Sequence, residues 1–113
     1  MVRHFEQMSV DTLGPTNNFQ IHHILSGRDE LNEKSRVFGY CTLEPGTEMP
    51  LHRHEGESET WFFLSGEGDF IDDGVSIPIH QGDAAHVFSD HSHGLRNTGD
   101  KPLKYITLVL YSR

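Results

Sequence analysis

Turn-forming residues interrupt this chain at intervals too short for helices. Gly66-Glu67-Gly68, Asp72-Asp73-Gly74, Gln81-Gly82-Asp83 and Asn97-Thr98-Gly99-Asp100-Lys101-Pro102 separate short runs such as Arg36–Leu43 (RVFGYCTL) and Leu103–Tyr111 (LKYITLVLY), rich in β-branched and aromatic residues. Such runs suit a pleated, half-buried surface, and Asp73-Gly74 between two of them predicts a hairpin. The composition agrees: eleven glycines and five prolines stand against only two alanines, Ala84 and Ala85, so long helices lack their best former. Strands are predicted around 19–26, 36–43, 49–54, 59–65, 69–71, 75–79, 84–88, 93–97 and 103–111. Nine or ten strands at this spacing make an all-β chain, a sandwich or small barrel.

At 113 residues the chain forms one domain. Residues 1–18, with Asp11-Thr-Leu-Gly-Pro15 and Asn17-Asn18, read as an N-terminal arm ending in a turn, and 19–113 as the domain. Gly27–Ser35 is charged and reads as a loop or a single helical turn. A chain of this size buries roughly two thirds of its surface, which excludes disorder. Its longest apolar run, Tyr105–Tyr111, falls far short of the ~20 residues of a membrane-spanning helix.

The net charge is −8, and no Lys or Arg occurs between Arg53 and Arg96. That stretch holds Glu55, Glu57, Glu59, Glu67, Asp69, Asp72, Asp73, Asp83 and Asp90, so a nucleic-acid face is excluded. Most of these carboxylates make a solvated acidic surface; the sharper reading is a cation site. Nine histidines point the same way, neutral imidazole being the commonest metal ligand. Cys41 is the lone cysteine, so no intrachain disulfide forms, and the first residues lack the apolar segment of a secretory signal. A reducing cytoplasm is the expected compartment, with Cys41 a small buried hydrophobe.

His52 and His54 stand two apart in a strand-like run, which places both imidazoles on one face, about 6.5 Å apart. Both can converge on one ion at ~2.1 Å. Glu59 follows after a stretch that suits a tight turn and can set its carboxylate opposite the histidines; His93, opening a later strand, is the natural fourth ligand. The surrounding pattern is fuller than a lone His-x-His. Gly46, five residues, His52-x-His54, four residues, Glu59, six residues and Gly66 form one row; Gly82, ten residues, His93, three residues and Asn97 form a second.

At these positions the sequence resembles the cupin family. Every fixed position of the first cupin motif is present, and the second matches at Gly82, His93 and Asn97. It departs at Phe88 and Asp90, where the family has Pro and Gly, in the turn before His93. The resemblance implies a jelly-roll β-barrel holding a metal through His52, His54, Glu59 and His93. Three imidazoles and a carboxylate without sulfur suit Fe, Mn, Ni, Co or Zn. Four protein ligands on a six-coordinate ion leave two positions open, whereas a closed site would only staple the barrel.

From Glu59, alternation turns Trp61 and Phe63 inward, as core or pocket wall, and Phe62 and Leu64 outward. His86 is a candidate base beside the ion, or else a packed surface residue. His22, His23, His80 and His91 have no supporting spacing, and Tyr40 and Tyr105 face the pocket only if their register allows. The resemblance implies a metal-dependent enzyme acting on a small molecule, with dioxygenase-like oxidation first. A metal-dependent isomerase or lyase, with Glu59 or His86 handling protons, is the alternative, as is a non-catalytic cupin that binds a small ligand or metal. The apolar stripe of Phe62 and Leu64 and the doubly apolar Tyr105–Tyr111 run, together with the resemblance, predict a homodimer.

Overall fold

In the computed structural model, which describes residues 1–14 and 17–112, ten strands form two antiparallel sheets. The larger runs in the order Val10–Leu13 (β1), Phe19–Leu25 (β2), Ser35–Leu43 (β3), Leu103–Tyr111 (β10), Glu57–Ser65 (β5) and Ala84–Val87 (β8). The smaller contains Glu48–Arg53 (β4), Ser92–Asn97 (β9), Glu67–Asp72 (β6) and Val75–His80 (β7). From β3 onward each successive strand lies in the other sheet, except within the β6–β7 hairpin, and the result is the jelly-roll barrel the motifs imply. Gly27–Glu30 (α1) is a single helical turn, one of the two forms expected for the charged stretch 27–35. No helix among the described residues is long and apolar enough to cross a membrane.

The Asp73-Gly74 hairpin forms as predicted. Asp72 pairs with Val75, and the two turn residues take φ of 47° and 86°. This left-handed pair matches the strands' twist and admits glycine at the second position without strain. Gly66 is needed for space as well: at φ 93°, a Cβ there would lie 2.9 Å from the Pro102 carbonyl oxygen.

One strand falls where the sequence indicated only an arm. Val10–Leu13 pairs with β2, from Val10 opposite His22 to Leu13 opposite Phe19. All four of its residues are exposed, so it rests on backbone pairing, with Asp11 Oδ2 2.8 Å from His23 Nε2. Pro15, in the turn expected to end the arm, lies outside the described residues.

Alternation along β5 and β10 builds the core. Glu59, Trp61 and Phe63 are buried while Thr60 and Phe62 face outward; Tyr105, Thr107 and Val109 are buried in turn. With Phe19, Cys41, Leu43, Phe70, Ile79, Val87, Leu95 and Leu103 they fill the space between the sheets. Each large side chain so buried contributes about 1.5–3 kcal/mol. Tyr40, next to Cys41, falls on the other face, edge-on to Phe5 at 5.6 Å, and lines no metal cluster. Asn97 closes one end of the barrel. Its Nδ2 donates to the Leu43 and Lys101 carbonyls, and its Oδ1 accepts from Gly99 N, each at 2.9 Å.

Candidate metal centre

Strand pairing brings the four motif residues together. His52, near the end of β4, lies directly opposite His93 on β9, and their rings are 4.1 Å apart. His54 lies one residue past β4, and its carbonyl oxygen accepts from Asp90 N at 2.8 Å. Asp90 has a φ of 71°, so the turn before His93 adopts a glycine-like conformation although glycine is absent. Glu59 reaches in from β5 on the facing sheet. One potential ligand atom from each of His52, His54, Glu59 and His93 lies within 4.8 Å of the others.

Their surroundings set the state of each group. His52 Nδ1 donates to the Pro50 carbonyl at 3.0 Å, which leaves Nε2 as the lone-pair nitrogen. Burial pushes its pKa down and favours the neutral ring. His54 lies between two carboxylates, with Nε2 2.8 Å from Glu59 Oε1 and Nδ1 3.0 Å from Glu57 Oε1. The hydrogen bond to Glu59 raises its pKa above the ordinary value despite burial, so a metal entering here would displace a proton. Burial alone would raise the Glu59 carboxyl, but His54, His93 and the Thr107 hydroxyl outweigh it and hold it at about 2. Arg36 grips Glu57 with two nitrogens, at 2.6 and 2.9 Å, and so fixes the carboxylate that orients His54.

His93 provides the test of fit. Its side chain is 2% exposed, and both ring nitrogens are buried without a hydrogen-bond partner among the described residues. Trp61 packs edge-on against it at 4.9 Å. Leaving buried polar atoms unpaired costs about 1–3 kcal/mol each, a cost that coordination would remove. The donor set of three nitrogens and one carboxylate fits a divalent transition metal. Cys41 supplies no ligand to it: burial pushes its thiol up to about 12, which keeps the sulfur protonated.

Beside the cluster lies a cavity of about 170 Å³, walled by Phe19, Ile21, Val37, Met49, Tyr105, Val109 and Cys41, with Arg36 and Thr107 as further polar groups. Tyr105 thus lines the pocket, while Trp61 and Phe63 pack in the core. His86 is not brought to the cluster. The β5–β8 register pairs it with Thr60, one residue off the Glu59 face, and its Nδ1 meets Thr60 Oγ1 at 2.7 Å on the exposed side. His91 is also outside, with Nδ1 2.5 Å from Asp73 Oδ2.

Glu57, Arg36 and Thr107 were not singled out from sequence. Glu57 had a usable signal, since period two places it on the Glu59 face. Thr107 had none, because it meets Glu59 only through the long-range pairing of β10 with β5.

The sequence model of the Cupin domain family matches residues 39–110. The chain belongs to the cupin family. It is 36% identical over 97 residues to the Oxalate-binding protein of Thermotoga maritima, an alignment covering 86% of this chain and 79% of that protein. Auxin-binding protein 1 of Arabidopsis thaliana is 28% identical over 76 residues, or 60% of this cupin and 38% of the plant protein. Among solved structures, that of a predicted oxalate decarboxylase from Thermotoga maritima superposes with a TM-score of 0.90 at 31% identity, over 98% of this cupin and 99% of that chain. Ectoine synthase from P. lautus, at 19% identity and a TM-score of 0.77 over 98% of this cupin and 78% of that chain, shares the fold.

Proposed function

We propose that this cupin holds one divalent transition-metal ion through His52, His54, Glu59 and His93 and binds there a small oxyanion of the oxalate class. The observation that carries the proposal is the meeting of those four ligand atoms beside a 170 Å³ cavity, below the ~300–1,000 Å³ of ordinary ligand pockets. A ligand of few heavy atoms fits such a space, and the similarity to an oxalate-binding protein supports an anion with closely spaced oxygens. The bound metal would supply Lewis acidity and a template for those oxygens.

The chain's residues bind and orient. His52 and His54 are set by Pro50 and Glu57, and Glu59 is set by Thr107. Isomerase or lyase chemistry requires a group that exchanges protons with the substrate. Glu59 is committed as a ligand, and the Cys41 thiol and Tyr105 phenol are both pushed up by burial, so they hold their protons. Binding is therefore preferred over proton-transfer catalysis. Dioxygenase-like oxidation asks chiefly for open coordination positions and an apolar cavity, and it stands as the second reading.

Calorimetry with oxalate tests the first reading. Metal-loaded protein is expected to bind oxalate and chelator-stripped protein to bind none; equal binding by both would reject a metal-borne site. Oxygen uptake by Fe(II)-loaded protein over a panel of small acids tests the second, and uptake no greater than that of free Fe(II) would reject it.

The proposal includes a homodimer. Phe62 and Leu110, 47% and 41% exposed, lie on the outer side of the larger sheet and would be covered by a second copy. Light scattering is expected to give twice 12.9 kDa at micromolar concentration, and Phe62→Glu to lower that mass while retaining metal. A wild-type monomer would reject the dimer.

A further inference from the structure

We propose that Thr107 sets Glu59 as a one-oxygen ligand and thereby selects for small ligands that chelate through two oxygens. The inference rests on the metal-binding reading above and extends it to a residue outside the motifs. Thr107 is 4% exposed on β10, and its Oγ1 lies 2.5 Å from Glu59 Oε2. The other carboxylate oxygen, Oε1, points the opposite way, 2.8 Å from His54 Nε2 and 3.5 Å from His93 Nε2. The two oxygens are thus divided between two tasks.

The direction of the hydrogen bond follows from charge. A carboxylate oxygen accepts, so the single hydroxyl proton of Thr107 is donated to Oε2. A hydrogen bond to a carboxylate is among the stronger kinds, and a β-branched side chain in a packed strand has little rotamer freedom. Oε2 is therefore tied to β10 while Oε1 faces the imidazoles. On a six-coordinate ion, three nitrogens and one oxygen leave two positions free. A Glu59 that chelated through both oxygens would take one of them. Ligands offering oxygens on two directly bonded carbons, such as oxalate or a 2-oxo acid, need both positions, whereas formate needs one.

The test uses cobalt(II)-loaded wild type, Thr107→Val, Thr107→Ala and Thr107→Ser, with absorption spectra recorded before oxalate or formate is added. Val preserves the shape and removes the hydroxyl; Ala does the same with a smaller side chain, in case Val disturbs packing. In both, the cobalt spectrum is expected to change and oxalate binding to fall at least about tenfold, with formate affinity altered less than about threefold. Thr107→Ser is expected to match wild type in spectrum and in both affinities. Spectra and oxalate affinities of the Val and Ala variants identical to wild type would overturn the proposal. If wild-type cobalt protein fails to bind oxalate, the oxyanion reading fails on its own. The spectra then still decide the role of Thr107: a change in the Val and Ala variants that Ser reverses supports it, and superimposable spectra reject it.

Discussion

Replacing His93 by Ala is expected to empty the metal site, with affinity lowered by more than the ~10–100-fold that changes to outlying partners of metal ligands produce. The expectation follows from where the ring sits. It lies directly across from His52, its side chain is 2% exposed, and neither ring nitrogen has a hydrogen-bond partner among the described residues. In the metal-free fold such an imidazole has only a long contact with the Glu59 carboxylate, 3.5 Å from Nε2, to set against its burial. His93→Leu should therefore lose the metal equally while the stripped protein keeps its melting temperature or gains stability, because an apolar side chain removes the unpaired atoms. His91→Ala, at an exposed pair with Asp73, should retain full occupancy. Full occupancy in His93→Ala would contradict the ligand assignment, and a collapse of metal-free His93→Leu would mean that the ring serves the core.

Phe63→Ala is expected to cost about 3–5 kcal/mol, the range for truncating a buried aromatic, and to lower the melting temperature by at least about 10 °C. Phe63 has no exposed surface, and its ring lies 5.7 Å from that of Tyr105, its cross-strand neighbour on β10. The backbone around it is held on both sides: Phe63 N donates to Asp83 O, and Gly82 N donates to Phe63 O. Collapse into the cavity is therefore restricted. Total stability for a domain of this size is about 5–15 kcal/mol, so the variant would sit near the edge of folding. Phe88→Ala, at a residue 70% exposed, should change stability by no more than about 0.5 kcal/mol. Both are to be measured on chelator-stripped protein, since bound metal would add its own stabilisation. A loss below about 1 kcal/mol for Phe63→Ala would contradict the burial described.

The four clustered residues were legible in sequence because their placement is mostly local. His52 and His54 are separated by one residue, and a single turn carries the chain to Glu59. The strands were legible for a related reason, since turn residues bound them on the chain and β5 has a buried face that imposes period two. Where no buried face exists, the signal fails: all four residues of β1 are exposed, so nothing in Val10–Leu13 distinguishes a paired strand from an arm. Register is the other limit. His86 and Tyr40 were candidates whose direction depends on pairings distant in sequence, and the pairings turn both outward. The same non-local pairing hid Thr107, with a shift in the β10–β5 ladder between Lys104 and Tyr105 that no local pattern announces. Asp90 is a different case. The family's glycine is missing, yet the backbone still takes a left-handed φ of 71°, a conformation that Asp tolerates better than most residues.

The most direct measurement is the metal content of the wild-type protein. Stripped with chelator, incubated with excess Mn(II), Fe(II), Co(II), Ni(II) or Zn(II) at neutral pH and freed of loose ion, it should retain about one ion per chain with at least one of these metals by elemental analysis. Retention near zero with all five would contradict the central claim that His52, His54, Glu59 and His93 form a metal centre.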